Sequence, residues 1–198
     1  MRDVGTAFLS FGTTLNEVGQ ADGSIYFEYG LRPKLTLGFK ADAEMDVVEG
    51  RMGDGTAFLF LRKPVPTGER AYKLAYEIGL GSTFGSDTAP LVRAGLNYGR
   101  GVTFWDRSGW VSIDTAAEWE TTGQNITLKV DGTVGLTLSD SVQVMMQVFL
   151  SRTETNTSTT LAPSLIWRPK QDGETRYQIG LEAEDGEYAL KLGLWRSF

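Results

Sequence analysis

The sequence predicts an all-β chain, a transmembrane antiparallel up-and-down β-barrel of about 12 strands. Two observations point to β-structure and one to a single unit. Segments that alternate apolar and polar residues recur from one end to the other, and almost no stretch shows a helical period. Glycine is abundant (24) and proline sparse (6) among 198 residues, which suits many strands joined by tight turns. No linker or low-complexity stretch interrupts the pattern, so residues 1–198 read as one domain.

The first two segments begin near Thr6 and Ser24. The third is very regular, with Leu35, Leu37, Phe39, Ala41, Ala43 and Met45 set against Thr36, Gly38, Lys40, Asp42 and Glu44. A fourth begins near Thr56, where residues 56–63 are apolar on both faces and leave its orientation open. The fifth sets Tyr72, Leu74, Tyr76, Ile78 and Leu80 against Lys73, Ala75, Glu77, Gly79 and Gly81. Segments six and seven begin near Leu91 and Gly109. The eighth opposes Ile126, Leu128, Val130 and Val134 to Thr127, Lys129, Asp131 and Thr133, and the ninth opposes Val142, Val144, Met146 and Val148 to Gln143, Met145, Gln147 and Phe149. A tenth begins near Thr159, and the eleventh carries Tyr177, Ile179 and Leu181 against Arg176, Gln178, Gly180 and Glu182. Turn chemistry separates them at Ala21-Asp22-Gly23, Arg32-Pro33-Lys34, Gly53-Asp54-Gly55, Pro66-Thr67-Gly68, Ser139-Asp140-Ser141, Gln171-Asp172-Gly173 and Asp185-Gly186.

Alternation alone does not say which face is inside. A soluble barrel turns its apolar face inward, and a membrane barrel turns it out. The polar face here carries opposite charges in mid-strand: Glu28, Lys40, Asp42, Lys73, Glu77, Arg93, Asp114, Lys129, Asp131, Glu182 and Lys191. The same face is dotted with glycines such as Gly38, Gly79 and Gly135. Glycines weaken a water-facing strand, but in a crowded interior they leave room for long neighbours. These residues are therefore expected to line a lumen, with the apolar stripe facing lipid. Tyr72, Trp105, Trp110, Trp167, Tyr177, Trp195 and Phe198 gather near one rim and are expected to form an interfacial aromatic girdle.

Composition narrows the chemistry. With no Cys there are no disulfides or thiol reactions, and with no His there is neither a Ser-His-Asp triad nor the usual zinc ligand. Net charge is −6, which disfavours nucleic acid. Acid pairs such as Asp42 with Glu44, or Glu182 with Glu184, read as members of a lumen network balanced by lysine and arginine. No cofactor and no metal site is expected: Gly53-Asp54-Gly55 lacks the ligands calcium needs, and Gly79 to Gly85 lacks dinucleotide spacing.

The last segment runs Tyr188-Ala-Leu-Lys-Leu-Gly-Leu-Trp-Arg-Ser-Phe198. One face holds Phe198, Leu194, Leu192, Leu190 and Tyr188, and the other holds Trp195, Gly193 and Lys191. Its length matches a tilted membrane-crossing strand. A terminal Phe on such a strand resembles the C-terminal assembly signal of Gram-negative outer-membrane β-barrels. Arg196 stands where that family usually has an aromatic or apolar residue, and its long stem suits a rim where the charge can reach water.

The resemblance implies a bacterial outer-membrane location, both termini in the periplasm, and contact with outer-membrane lipids and lipopolysaccharide. It also implies recognition of the last strand by the barrel assembly machinery. The start, Met1-Arg2-Asp3-Val4, lacks the apolar core of a signal peptide, so a mature form is expected. Counted from this orientation, the periplasmic turns collect Arg32, Lys34, Arg62, Arg70, Arg107 and Arg168, and the opposite turns collect Glu17, Asp46, Glu49, Asp87, Asp185 and Glu187. Lipase-like and protease-like members of the family rely on a His, so no enzyme activity is expected. The leading expectation is a narrow passive pore for small polar solutes. A closed structural or surface-interaction barrel is the alternative, and a soluble ligand-binding barrel is the fallback.

Overall fold

The computed structural model describes residues 2–123, 125–170 and 173–198. Its strands are β1 (Ala7–Asn16), β2 (Gln20–Arg32), β3 (Leu35–Asp46), β4 (Arg51–Val65), β5 (Tyr72–Phe84) and β6 (Pro90–Phe104). They continue as β7 (Arg107–Glu120), β8 (Ile126–Thr137), β9 (Val142–Arg152), β10 (Thr157–Trp167), β11 (Thr175–Glu184) and β12 (Glu187–Ser197). Each pairs antiparallel with the next, and β12 returns to β1 to close the barrel. This is the all-β up-and-down barrel that the alternation predicts. Closure matters physically, because an open sheet edge cannot be left unpaired in hydrocarbon.

The closing seam is a ladder from Asn16↔Ala189 to Phe8↔Ser197, and the main chain of Phe198 extends it by one more pair. Ala7 N donates to Phe198 O at 3.1 Å and Phe198 N donates to Ala7 O at 3.0 Å. The beginning of β1 and the end of β12 therefore share one rim, called proximal below, and the other rim is distal. Two predicted turns are corrected. Ala21-Asp22-Gly23 lies inside β2 and Gly53-Asp54-Gly55 inside β4, while the connections fall at 17–19 and 47–50. Asp22 and Gly23 are paired with Thr14 and Thr13, so ladder hydrogen bonds override their turn preference, whereas Gly53 and Asp54 fall at a register shift between Met52 and Gly55 and kink the strand without ending it. Of Gln171-Asp172-Gly173, the first two residues lie outside the described ones.

The register sorts the two faces. Leu59, Ile78, Leu80 and Leu96 point outward and are 59–69% exposed, whereas Glu77 on the inner face is 2% exposed. A soluble protein of this size rarely leaves so continuous an apolar band uncovered; a lipid-facing barrel requires one. The fourth strand, ambiguous in sequence, has a definite orientation: Leu59 and Leu61 face out, and Phe58, Phe60 and Arg62 face in. The reason is space. Phe60 lies over Gly38, where any Cβ would sit 2.0 Å from the ring. The β10–β11 ladder is interrupted in mid-strand: it pairs at Leu161↔Ala183 and again only at Ser164↔Gly180, skipping Ala162 and Pro163, the latter with no N–H to donate.

Candidate pore lumen

Cross-strand register builds an ordered chain of charges on the inner face of β2 to β8. Arg62 stands directly opposite Glu77, and Arg93 directly opposite Glu118. Arg62 Nη1 donates to Glu28 Oε1, and its Nη2 donates to Glu77 Oε2 at 2.6 Å. Arg93 Nε donates to the other oxygen of Glu77 at 2.8 Å, and its Nη1 donates to Glu118 Oε1. Lys129 Nζ completes the row on Glu118 Oε2 at 2.9 Å. Glu28 also accepts from Tyr26 Oη at 2.5 Å and from Arg2 Nε at 3.0 Å.

Every carboxylate in this ladder thus meets at least two charged or hydroxyl donors. That is the condition under which buried charge is tolerable. The guanidinium of Arg62 lies 5.1 Å from the centroid of Phe60, and that of Arg93 lies 5.8 Å from Phe58. The rings brace the arginines against the wall.

The remaining wall, β9 to β12 with β1, is different in kind. It presents Gln147, Phe149, Ser151, Ser158, Thr160, Ser164 and Gln178. Gln178 Nε2 donates to Ser164 Oγ at 2.9 Å, and the ion pair on this wall is Lys191 with Glu182 at 2.8 Å. Between the walls lies a continuous cavity of about 1640 Å³. Its lining extends from Phe8, Gln143 and Trp195 near the proximal rim to Asp87, Glu120 and Asn125 at the distal rim.

The eleven residues read from sequence as lumen-lining all fall on the inner face by register, but in three settings. Glu28, Lys40, Asp42, Asp114, Lys129, Asp131, Glu182 and Lys191 line the cavity. Glu77 and Arg93 lie beneath it as parts of the wall, with side chains 2% and 12% exposed. Lys73 stands at the proximal rim, exposed to solvent.

The aromatic set divides as well. Tyr72, Trp167, Tyr177 and Phe198 face outward at the proximal rim, and Trp105 projects from the proximal turn, 86% exposed. Two members of the expected girdle are corrected: Trp110 and Trp195 face the lumen. Trp110 lies over Gly135, where a Cβ would be 2.2 Å from the indole, and Trp195 shares its face with Lys191 and Gly193. Tyr98, which stacks on Tyr72 at 5.8 Å, takes an outward place that the sequence reading left empty.

Arg62, Glu118 and Arg2 carry much of the ladder and lie outside the set that the sequence marks as lumen residues. Arg62, assigned to a periplasmic turn, sits inside the barrel, because Phe58 and Phe60 on the same face fill the space over inner-face glycines. A signal existed: bulky residues at Phe58 and Phe60 match the spacing of Gly79 and Gly81 on the next strand.

No family model matches the chain, and no curated protein sequence matches it. Its fold is shared with solved outer-membrane barrels. The KdgM porin in complex with disordered oligogalacturonate superposes with a TM-score of 0.69 at 10% identity, covering 96% of this chain and 99% of that chain. The NanC porin gives 0.69 at 10% identity over 95% and 98% of the two chains. An outer membrane channel from Pseudomonas putida F1 gives 0.59 at 12% identity over 100% and 97%. At these identities the likeness is one of fold.

Proposed function

We propose that this barrel is a passive pore in the bacterial outer membrane that passes small polar solutes. The observation that carries the reading is the cavity whose lining reaches both rims. Its walls suit polar solutes: hydroxyls, amides and paired charges offer hydrogen bonds without a large uncompensated field at the waist. Porin and channel barrels among the structural neighbours agree with this. The outward leucines and the proximal aromatics fit a bilayer and its interface, with outer-membrane lipids and lipopolysaccharide as surroundings. Recognition by the barrel assembly machinery through β12 belongs to the same reading, as does passive transport without catalysis.

The competing reading, a closed structural barrel, draws on the ladder, which cross-links strands and crowds one side of the lumen. Planar-bilayer recording separates the two. The purified barrel should give discrete conductance steps, and liposomes carrying it should swell in solutions of small sugars. An absence of steps above background, from protein whose heat-modifiable migration shows it folded, would overturn the pore.

A further inference from the structure

We propose that the lumen is bipolar along its axis, so that the pore rectifies ionic current. The inference rests on the pore reading above. At the distal mouth, Asp22 stands opposite Glu44, and Glu184 opposite Glu187. With Asp46 these line a second cavity of about 770 Å³. Among the described residues none of these five acids has a basic partner within 4.0 Å, and the distal Arg51 is paired with Glu49. At the proximal mouth the sign reverses. Lys73 faces the lumen opposite Gly99, and Arg176 opposite Trp195, and neither makes an ion pair among the described residues. Between the mouths the ladder from Arg2 to Lys129 carries one excess positive charge, and Asp114 and Asp131, opposite each other without an ion pair among the described residues, offset it, so the waist is close to balanced. Fixed charge therefore runs negative, balanced, positive from the distal to the proximal end.

The consequence follows from counter-ion enrichment. The screening length is about 8 Å at physiological ionic strength, so each mouth concentrates ions of the opposite sign. Cations gather at the distal mouth and anions at the proximal one. A field that drives cations in from the distal side also drives anions in from the proximal side. Both populations then meet at the waist, and conductance rises. The opposite field draws both away from the waist, and conductance falls. Current is thus larger when the distal compartment is positive.

The experiment is single-insertion recording in a planar bilayer in about 0.1 M and about 1 M KCl, where the screening length falls to about 3 Å. The chain has no Cys, so Val48→Cys, on the exposed distal turn, gives a unique attachment point for biotin. Streptavidin added to one chamber then reports which way each barrel is inserted. The expected result is a larger current at distal-positive voltage, decaying toward symmetry in the higher salt. The asymmetry should be lost in the Asp22→Asn, Glu44→Gln, Glu187→Gln variant. Should that variant not fold, Arg176→Gln is to weaken the asymmetry from the other end. Conductance steps that are symmetric, or larger at distal-negative voltage, overturn the bipolar lumen and leave the pore standing. An absence of steps overturns the pore itself, and rectification with it.

Discussion

The two walls of the lumen solve the same problem in opposite ways. Strands β2 to β8 place buried arginines and glutamates face to face and satisfy each through its neighbours. Strands β9 to β12 and β1 use hydroxyls, amides and small residues, with Lys191 and Glu182 as the ion pair. The first wall is a mutually dependent unit, in which every charge needs at least one of the others. Side chains of the second wall depend on few partners and leave a smoother surface for a passing solute. The difference teaches where this barrel resists mutation and where it tolerates it.

Breaking the ladder at its centre should have the largest effect. Arg62→Met leaves Glu77 with one arginine and removes a charged partner of Glu28, so we expect a loss of about 3–5 kcal/mol, read by denaturant unfolding in lipid vesicles. Adding Glu28→Gln and Glu77→Gln should recover part of that loss, because the two orphaned carboxylates become neutral while Arg93 keeps Glu118 and Arg2 stays partly exposed. Failure of the triple variant to recover would mean that Arg62 matters for shape and not for charge.

Overfilling the brace comes next. Gly38→Leu places its Cβ where the Phe60 ring lies and should cost roughly 1–3 kcal/mol, as for other overpacked sites. Displaced into the lumen, the ring should also lower single-channel conductance. On the smoother wall, Ser164→Ala removes the hydroxyl that accepts from Gln178 and should cost about 1 kcal/mol in the same unfolding assay. Lys73→Ser, at the exposed proximal rim, should shift stability by no more than about 0.5 kcal/mol. A Lys73 effect as large as that of Arg62 would erase the distinction between rim and wall.

Much of this arrangement is legible in the chain. Period-two alternation in β3, β5, β8, β9 and β12 announces two-faced strands, and mid-strand charges mark the face that turns inward. What was not legible is pairing across strands that carry no alternation. Residues 56–63 are apolar on both faces, so Arg62 had no face until Gly38 and Gly79 on neighbouring strands decided it. Glu118 is followed by Trp119 and preceded by two alanines, which blurs the period in β7. Trp110 and Trp195 show a further limit. Nearness to a rim predicts height in the barrel, while the side of the wall is set by parity, and here parity turns both indoles inward, Trp110 opposite Gly135 and Trp195 opposite Arg176.

The gap at Pro163 carries a consequence for how the barrel breathes. Hydrogen bonds hold the β10–β11 pair on both sides of that residue but skip it, so these two strands share a shorter continuous zipper than the others. Amide exchange should start there, at the β11 amide that faces the gap in β10, well before it reaches the uninterrupted junction of β6 with β7. A wall that loosens first at one fixed longitude gives the cylinder a built-in hinge line, and any slow widening of its cross-section would begin along it.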